Sequence, residues 1–149
     1  MSNINNLKNK QSGFTIIEVV LVLAIAGLIF LIVFLALPQL QTSRRDTQRR
    51  GDGGKVVSAL ESYAGNNNGT YPTTAANQSA FETQYTTGQI QDPDGNDYTI
   101  DWTGSTTPAQ DNMSIGVGSG NGCDGAALGA REVVVRVGLE QGVYCQDNK

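Results

Sequence analysis

The chain has 149 residues, a net charge of −4 and no histidine, so it offers no imidazole base, proton shuttle or imidazole metal ligand. That length is one domain by the usual prior, here with a long apolar segment in addition. The charge is uneven. Residues 44–55 carry Arg44, Arg45, Arg49, Arg50 and Lys55 against Asp46 and Asp52, or +3, while residues 66–149 carry three cations against ten acids, or −7. Such an acidic region does not favour nucleic acid, whose non-specific binding is mostly cation to phosphate.

Residues 1–13 are polar and Asn-rich with Lys8 and Lys10; they read as a leader, outside the fold. The next 24 residues, 14–37, contain only Thr15 and Glu18 that are neither apolar nor glycine. As a helix rising ~1.5 Å per residue they span ~36 Å, enough to cross a ~30 Å hydrocarbon core. A standard secretory signal has a shorter core ending in spaced small residues, and a lipoprotein needs a cysteine after the run; neither fits. The reading is a membrane-inserted stalk that carries a head.

Glu18 is costly in such a run unless it finds a partner. It sits about one helical turn from the start, so it can reach back to the headgroups. Alternatively, a cut after Gly13 frees the amine of Phe14, which then offers a cation to the Glu18 of a neighbouring chain.

Gly13-Phe14-Thr15-Ile16-Ile17-Glu18-Val19-Val20, with Ala24 and Gly27 beyond, resembles the class III signal peptide of type IV pilins and the related pseudopilins. The resemblance implies that an aspartic prepilin peptidase cuts between Gly13 and Phe14 and methylates the new Phe14 amine. It makes Glu18 the assembly glutamate and Pro38 a helix kink, later along the chain than in the family pattern. The implied fold is α+β, the pilin fold. Its long N-terminal helix packs by its C-terminal half on a small antiparallel sheet. The expected division is a cleaved leader (1–13), a polymerisation helix (14–37), an amphipathic continuation (38–65) and a head (66–149). The arginines at 44–50 outweigh Lys8 and Lys10, and the positive-inside rule alone would keep the head in the cytoplasm. The leader motif and the cysteine pair require the opposite. Cys123 and Cys145, an even pair in an exported domain, read as a disulfide; closing about 23 residues contributes ~3 kcal/mol.

After Pro38, the residues Leu40, Val56, Val57, Leu60, Tyr63 and Ala64 mark an apolar helix stripe. Residues 42–54 between them are polar, and Gly51, Gly53 and Gly54 each weaken a helix by ~1 kcal/mol. The expectation is a continuous helix, soft at the glycines; the alternative is a flexible linker. Glycines and asparagines at 65–69 stop the helix, where the sequence through Tyr71-Pro72 also resembles the end of the pilin shaft. Strands are expected at 98–103, 113–117, 133–137 and 143–146, the last two as a hairpin turning near Gln141-Gly142. Tyr63, Tyr71, Phe81, Tyr85, Tyr98, Ile100 and Trp102 are the bulky core candidates.

Asp92, Asp94 and Asn96 alternate as calcium ligands do, but position six of such a loop is Asp97 in place of Gly and position twelve is Thr103 in place of Glu, so a turn is the better reading. The related pseudopilins bind calcium in a C-terminal loop, which would use Asp111 or Asp124. Gly120, Gly122 and Gly125 spell a G-x-G-x-x-G without the strand–helix–strand unit it requires. Asn68, Asn77 and Asn112 open N-glycosylation patterns expected by chance in so Asn-rich a chain. The arginines at 44–50 either meet anionic headgroups, lie on a solvated face, or meet acids of adjacent heads. No nucleophile with a base and no phosphate loop is present, so no enzyme, metal or cofactor is expected.

The expected function is that of a structural subunit of an extracellular type IV pilus, serving attachment, motility or DNA uptake. It implies a helical homo-oligomer, prepilin peptidase, the assembly machinery and a single-pass membrane stage as partners, with the head outside. Two alternatives stand beside it: a pseudopilin of a type II secretion or competence system, and a single-span anchored surface binding domain.

Overall fold

The computed structural model describes residues 13–149; the rest of the expected leader, including Lys8 and Lys10, lies outside the described residues. Helix α1 (Ile16–Asn66) is followed by helix α2 (Ala75–Phe81), which runs into one π-helical turn (Glu82–Thr86). Strands β1 (Thr99–Asp101), β2 (Asn112–Val117), β3 (Val133–Leu139) and β4 (Gly142–Asp147) complete the order. The chain divides into two compact units, up to Leu40 and from Gln41 to Lys149.

The first unit is the apolar start of α1. It is long and apolar enough to cross a membrane. Its large side chains are uncovered by the chain itself: Phe14, Phe30 and Phe34 are 90%, 65% and 73% exposed.

In the second unit α1 is amphipathic in an unusual way. Asp46, Arg49, Gly53, Val56, Leu60 and Tyr63 are all buried, and they recur at alternating steps of three and four, the period of one helix face. The stripe expected at 56–64 therefore continues backwards in polar residues. The helix runs unbroken through the glycines, as expected, and the alternative of a flexible linker fails. A Cβ at Gly53 would lie 2.9 Å from Val137 Cγ2 and 3.3 Å from Tyr144 Cδ1, and one at Gly54 would lie 3.3 Å from Gln146 Oε1. Helix and sheet approach closely there, and glycine is what allows it. Beyond Asn66 the chain leaves the helix through Asn68 and Gly69, both at positive φ, with Gly69 N–H donating to Ala64 O at 2.7 Å.

The four strands lie in the order β1-β2-β3-β4. β2–β3 and β3–β4 are antiparallel, with Arg136 opposite Cys145 and Leu139 opposite Gly142. The hairpin thus turns through Glu140 and Gln141, as expected to within a residue. The sheet is mostly antiparallel, as expected, and departs from that at one edge: β1 runs parallel to β2, with Ile100 beside Met113. The physical reason is the path of residues 102–111. They return across the outer face of the sheet and do not reverse in a hairpin. Gly104 packs on Gly116, and Gln110 bridges to Gly138, where any Cβ would overlap the carbonyl of Ala109.

The inner face of the sheet and the α1 stripe enclose one core of Val56, Leu60, Met113, Ile115, Val133, Val135 and Val137. All seven bulky candidates join or border it. Phe81 is its aromatic centre, edge-on to Tyr63 and Trp102 and stacked on Tyr85. Phe81 comes from α2, which the sequence reading did not anticipate. The signal was Thr74, whose Oγ1 accepts the Asn77 N–H as an N-cap.

Every residue of β3 is buried, because the loops of 104–131 cover the outer face. Arg136 is 5% exposed and donates to the carbonyls of Gly104, Asn121 and Gly122 at 3.2, 2.6 and 3.1 Å. Cys123 of this layer is bonded to Cys145 of β4.

Candidate functional site

Gly13, Phe14 and Thr15 precede the first helical turn and have no regular structure. A Cβ on Gly13 would meet nothing within 4 Å, and the Phe14 side chain is almost wholly exposed. The Gly13–Phe14 peptide bond therefore lies in open, non-helical backbone, the form a peptidase can enter.

Helix α1 opens on a reciprocal cap. Thr15 N–H donates to Glu18 Oε2 at 2.8 Å, Thr15 Oγ1–H donates to the same oxygen at 2.7 Å, and Glu18 N–H donates to Thr15 Oγ1 at 3.4 Å. This Thr-x-x-Glu arrangement satisfies backbone N–H groups that have no partner inside the helix. It went unnoticed in the sequence reading, although the spacing of Thr15 and Glu18 spells it. Among the described residues Glu18 forms no ion pair. The nitrogen of Phe14 is an uncharged amide as long as Gly13 is attached, so the cation expected to meet Glu18 exists only after a cut. Pro38 lies inside α1, which continues through it.

The second polar constellation belongs to residues 41–149, and sequence reasoning misplaced it. Arg49 is neither at a headgroup nor in solvent; it is fully buried. Its Nε donates to Asp111 Oδ1 at 2.8 Å, and its Nη1 donates to Asp46 Oδ1 at 2.9 Å and Glu140 Oε1 at 3.3 Å. Burial by itself would favour the neutral guanidine. The hydrogen bonds to Asp111, Glu140 and Asp46 outweigh it and hold the charge more firmly than usual. Asp46 Oδ1 also accepts the Glu140 N–H at 3.0 Å, so the hub joins α1 to the β3–β4 turn and to the loop before β2. One turn on, buried Asp52 accepts from Lys55 Nζ at 2.7 Å and from the Tyr98 hydroxyl at 3.1 Å. Burial first, and then the charge of Asp52, push the Tyr98 phenol far up, so it stays a neutral donor. Arg44, Arg45 and Arg50 are exposed, and Arg45 lies near Glu140 and Asp94.

The calcium candidates are otherwise engaged. Asp92 Oδ1 accepts the N–H groups of Asp94 and Asn96 at 2.9 and 2.8 Å, a turn as expected. Asp111 holds Arg49, and Asp124 holds Lys149 Nζ at 3.0 Å. Residues 120–127 form a small turn in which Gly122 N–H donates to Ala126 O, with no helix behind it to cradle a phosphate.

A family model for the prokaryotic N-terminal methylation motif matches residues 8–34, spanning the open Gly13–Phe14 bond, the Thr15–Glu18 cap and most of the uncovered apolar helix. Neither a curated protein nor a solved structure matches the chain. That motif is the class III signal peptide of type IV pilins, and with a long apolar helix leading into an α+β unit it marks the chain as a type IV pilin-like or pseudopilin precursor.

Proposed function

We propose that the mature chain is the structural subunit of an extracellular type IV pilus. A single observation carries this reading: an apolar helix whose large side chains are exposed among the described residues, holding one carboxylate, within a processing motif. Lipid covers that helix before assembly and other copies cover it afterwards. Prepilin peptidase cuts between Gly13 and Phe14 and the Phe14 amine is methylated. The amine of one copy then pairs with Glu18 of a neighbour, which offsets the burial of both charges and sets the axial register. Contacts of this head-to-tail kind do not close on themselves and so build an open helix. Pro38 lacks a backbone N–H and crowds the preceding turn; it bends α1 as the helix leaves the filament centre. The role is structural, without catalysis. The Cys123–Cys145 bond that closes the C-terminal region favours a pilin over a pseudopilin.

The test is mass spectrometry of the N-terminus together with microscopy of sheared surface material. Wild-type chain begins at methylated Phe14 and appears in filaments. Gly13→Ala leaves an unshortened chain, and Glu18→Gln is cut but gives few filaments. Wild-type filament yield from Glu18→Gln would refute the charge pairing.

A further inference from the structure

In residues 41–149 the large hydrophobic side chains are buried or half-buried except Val143, at 38% exposure. A contact between this unit and another molecule therefore rests on polar groups. Most charges of the unit are already used at home: Arg49 with three acids, Arg45 with Glu140 and Asp94, Lys55 with Asp52, and Lys149 with Asp124. Three exposed charges on α1 are not: Arg44, Arg50 and Glu61, of which Arg44 faces a different side of the helix from the other two. Arg50 and Glu61 make neither an ion pair nor a side-chain hydrogen bond among the described residues.

They are eleven residues apart, which is about three helical turns and leaves both on one side of the helix, ~16 Å apart along it. One copy cannot join them. Gly54 and Ser58 lie between them on that side; Gly54 has no side chain, and the Ser58 hydroxyl donates back to Gly54 O at 3.1 Å. The exposed strip thus has a cation at one end and an acid at the other, with the small residues Gly54 and Ser58 between, and is edged by buried Val57 and by Gln146, whose Oε1 would lie 3.3 Å from a Cβ on Gly54. It is complementary to itself when a second α1 lies alongside, displaced along its axis.

We infer that Arg50 of one copy pairs with Glu61 of another, so that this strip is a contact between copies. The inference rests on the assembly reading above and names the surface that residues 41–149 bring to it. Both pairings set a cation of one copy against an acid later in the sequence of the next, Phe14 with Glu18 and Arg50 with Glu61, which is one sense of displacement. A lipid surface is the weaker partner. Burial of Arg49 and the local pairing of Arg45 leave Arg44 and Arg50 as the cations free for headgroups, where recognition uses clusters of about four to eight. Arg50 also stands thirteen residues past the end of the apolar run.

The test uses full-length chain in a host that assembles it, with N-terminal cleavage and disulfide formation confirmed for every variant. Arg50→Glu and Glu61→Arg should each cut filament yield by about tenfold or more, because like charges then face each other at every repeat. The double variant should recover to within about twofold of wild type. Wild-type yield from either single variant, or a double variant no better than its parents, overturns the pairing. Loss with Arg50→Glu alone assigns that arginine to lipid. A second measurement does not need filaments: carbodiimide joins an amine to a carboxylate, so Arg50→Lys chains in membranes should yield a dimer linked from residue 50 to Glu61. The link should vanish with Glu61→Gln, and its absence in Arg50→Lys overturns the pairing. Wild-type chain that is cut but forms no filament, while Arg50→Lys chain still crosslinks, would instead overturn the assembly reading.

Discussion

Residues 41–149 bury Asp46, Arg49, Asp52 and Arg136 and supply their partners from the same unit, whereas the apolar start of α1 leaves Glu18 with Thr15 alone and its hydrophobic side chains uncovered. A buried charge is tolerated only with good geometry and full hydrogen bonding. The head supplies most of it internally, with three acids around Arg49, although Arg49 Nη2 is buried without a partner among the described residues. The first unit meets neither that condition nor the demand of its apolar surface, so its stability depends on what surrounds it, lipid or other copies. The same helix serves both regimes, and the change comes where apolar residues give way to polar ones on the stripe that faces the sheet.

The sharpest way to break this contrast is to remove the head's own cation. Arg49→Met leaves Asp46 and Asp111 without a counter-charge and Glu140 with only the exposed Arg45, and should destabilise the head by about 3–5 kcal/mol. Denaturant unfolding of full-length chain in detergent, followed by Trp102 fluorescence, measures it. A loss below about 1 kcal/mol would mean that the hub does not hold helix to sheet.

Smaller, and of opposite signs, are two glycine substitutions. Gly53→Ala drives a Cβ against Val137 and Tyr144 and should cost about 1–3 kcal/mol. Gly51→Ala meets open space and should stabilise α1 by about 0.5–1 kcal/mol. If both shift the unfolding midpoint in one direction, the close approach at Gly53 is wrong.

The smallest effect is a pH dependence. Burial alone would raise the Asp92 carboxyl, but the N–H groups of Asn96, Asp94 and Gly95 together hold it below its ordinary value. Its contribution is therefore complete above the unfolded value of about 3.9 and is lost as pH falls through the folded one. Asp92→Asn should flatten the stability curve below about pH 4 and lower it by a constant amount near neutrality, where its slope does not change.

What could be read in advance follows from how local each signal is. Gly13, Phe14, Glu18 and the run behind them are legible because hydropathy and one misplaced carboxylate need no tertiary context. The β3–β4 hairpin is legible for a similar reason, since the valines at 133–137 and Gly142 bracket it. The direction of β1 is not local. It depends on where residues 102–111 cross the sheet, and that path rests on Gly104 and Gly138 meeting distant backbone. Arg49 resembled a solvated residue because its partners Asp111 and Glu140 lie 62 and 91 residues away. The spacing from Asp46 to Tyr63 carried the only advance notice of its burial. Helix α2 escaped because Phe81 is the one large apolar residue in it, too few for a period to show.

The bond between Cys123 and Cys145 has a further consequence for durability. The loops outside the sheet are the natural place for a protease to nick, and much of 124–131 is exposed. A single nick anywhere from there to Cys145 would leave both fragments covalently tied, with Lys149 still clasping Asp124. Such a scar would stay invisible on a gel until a reductant released the smaller piece.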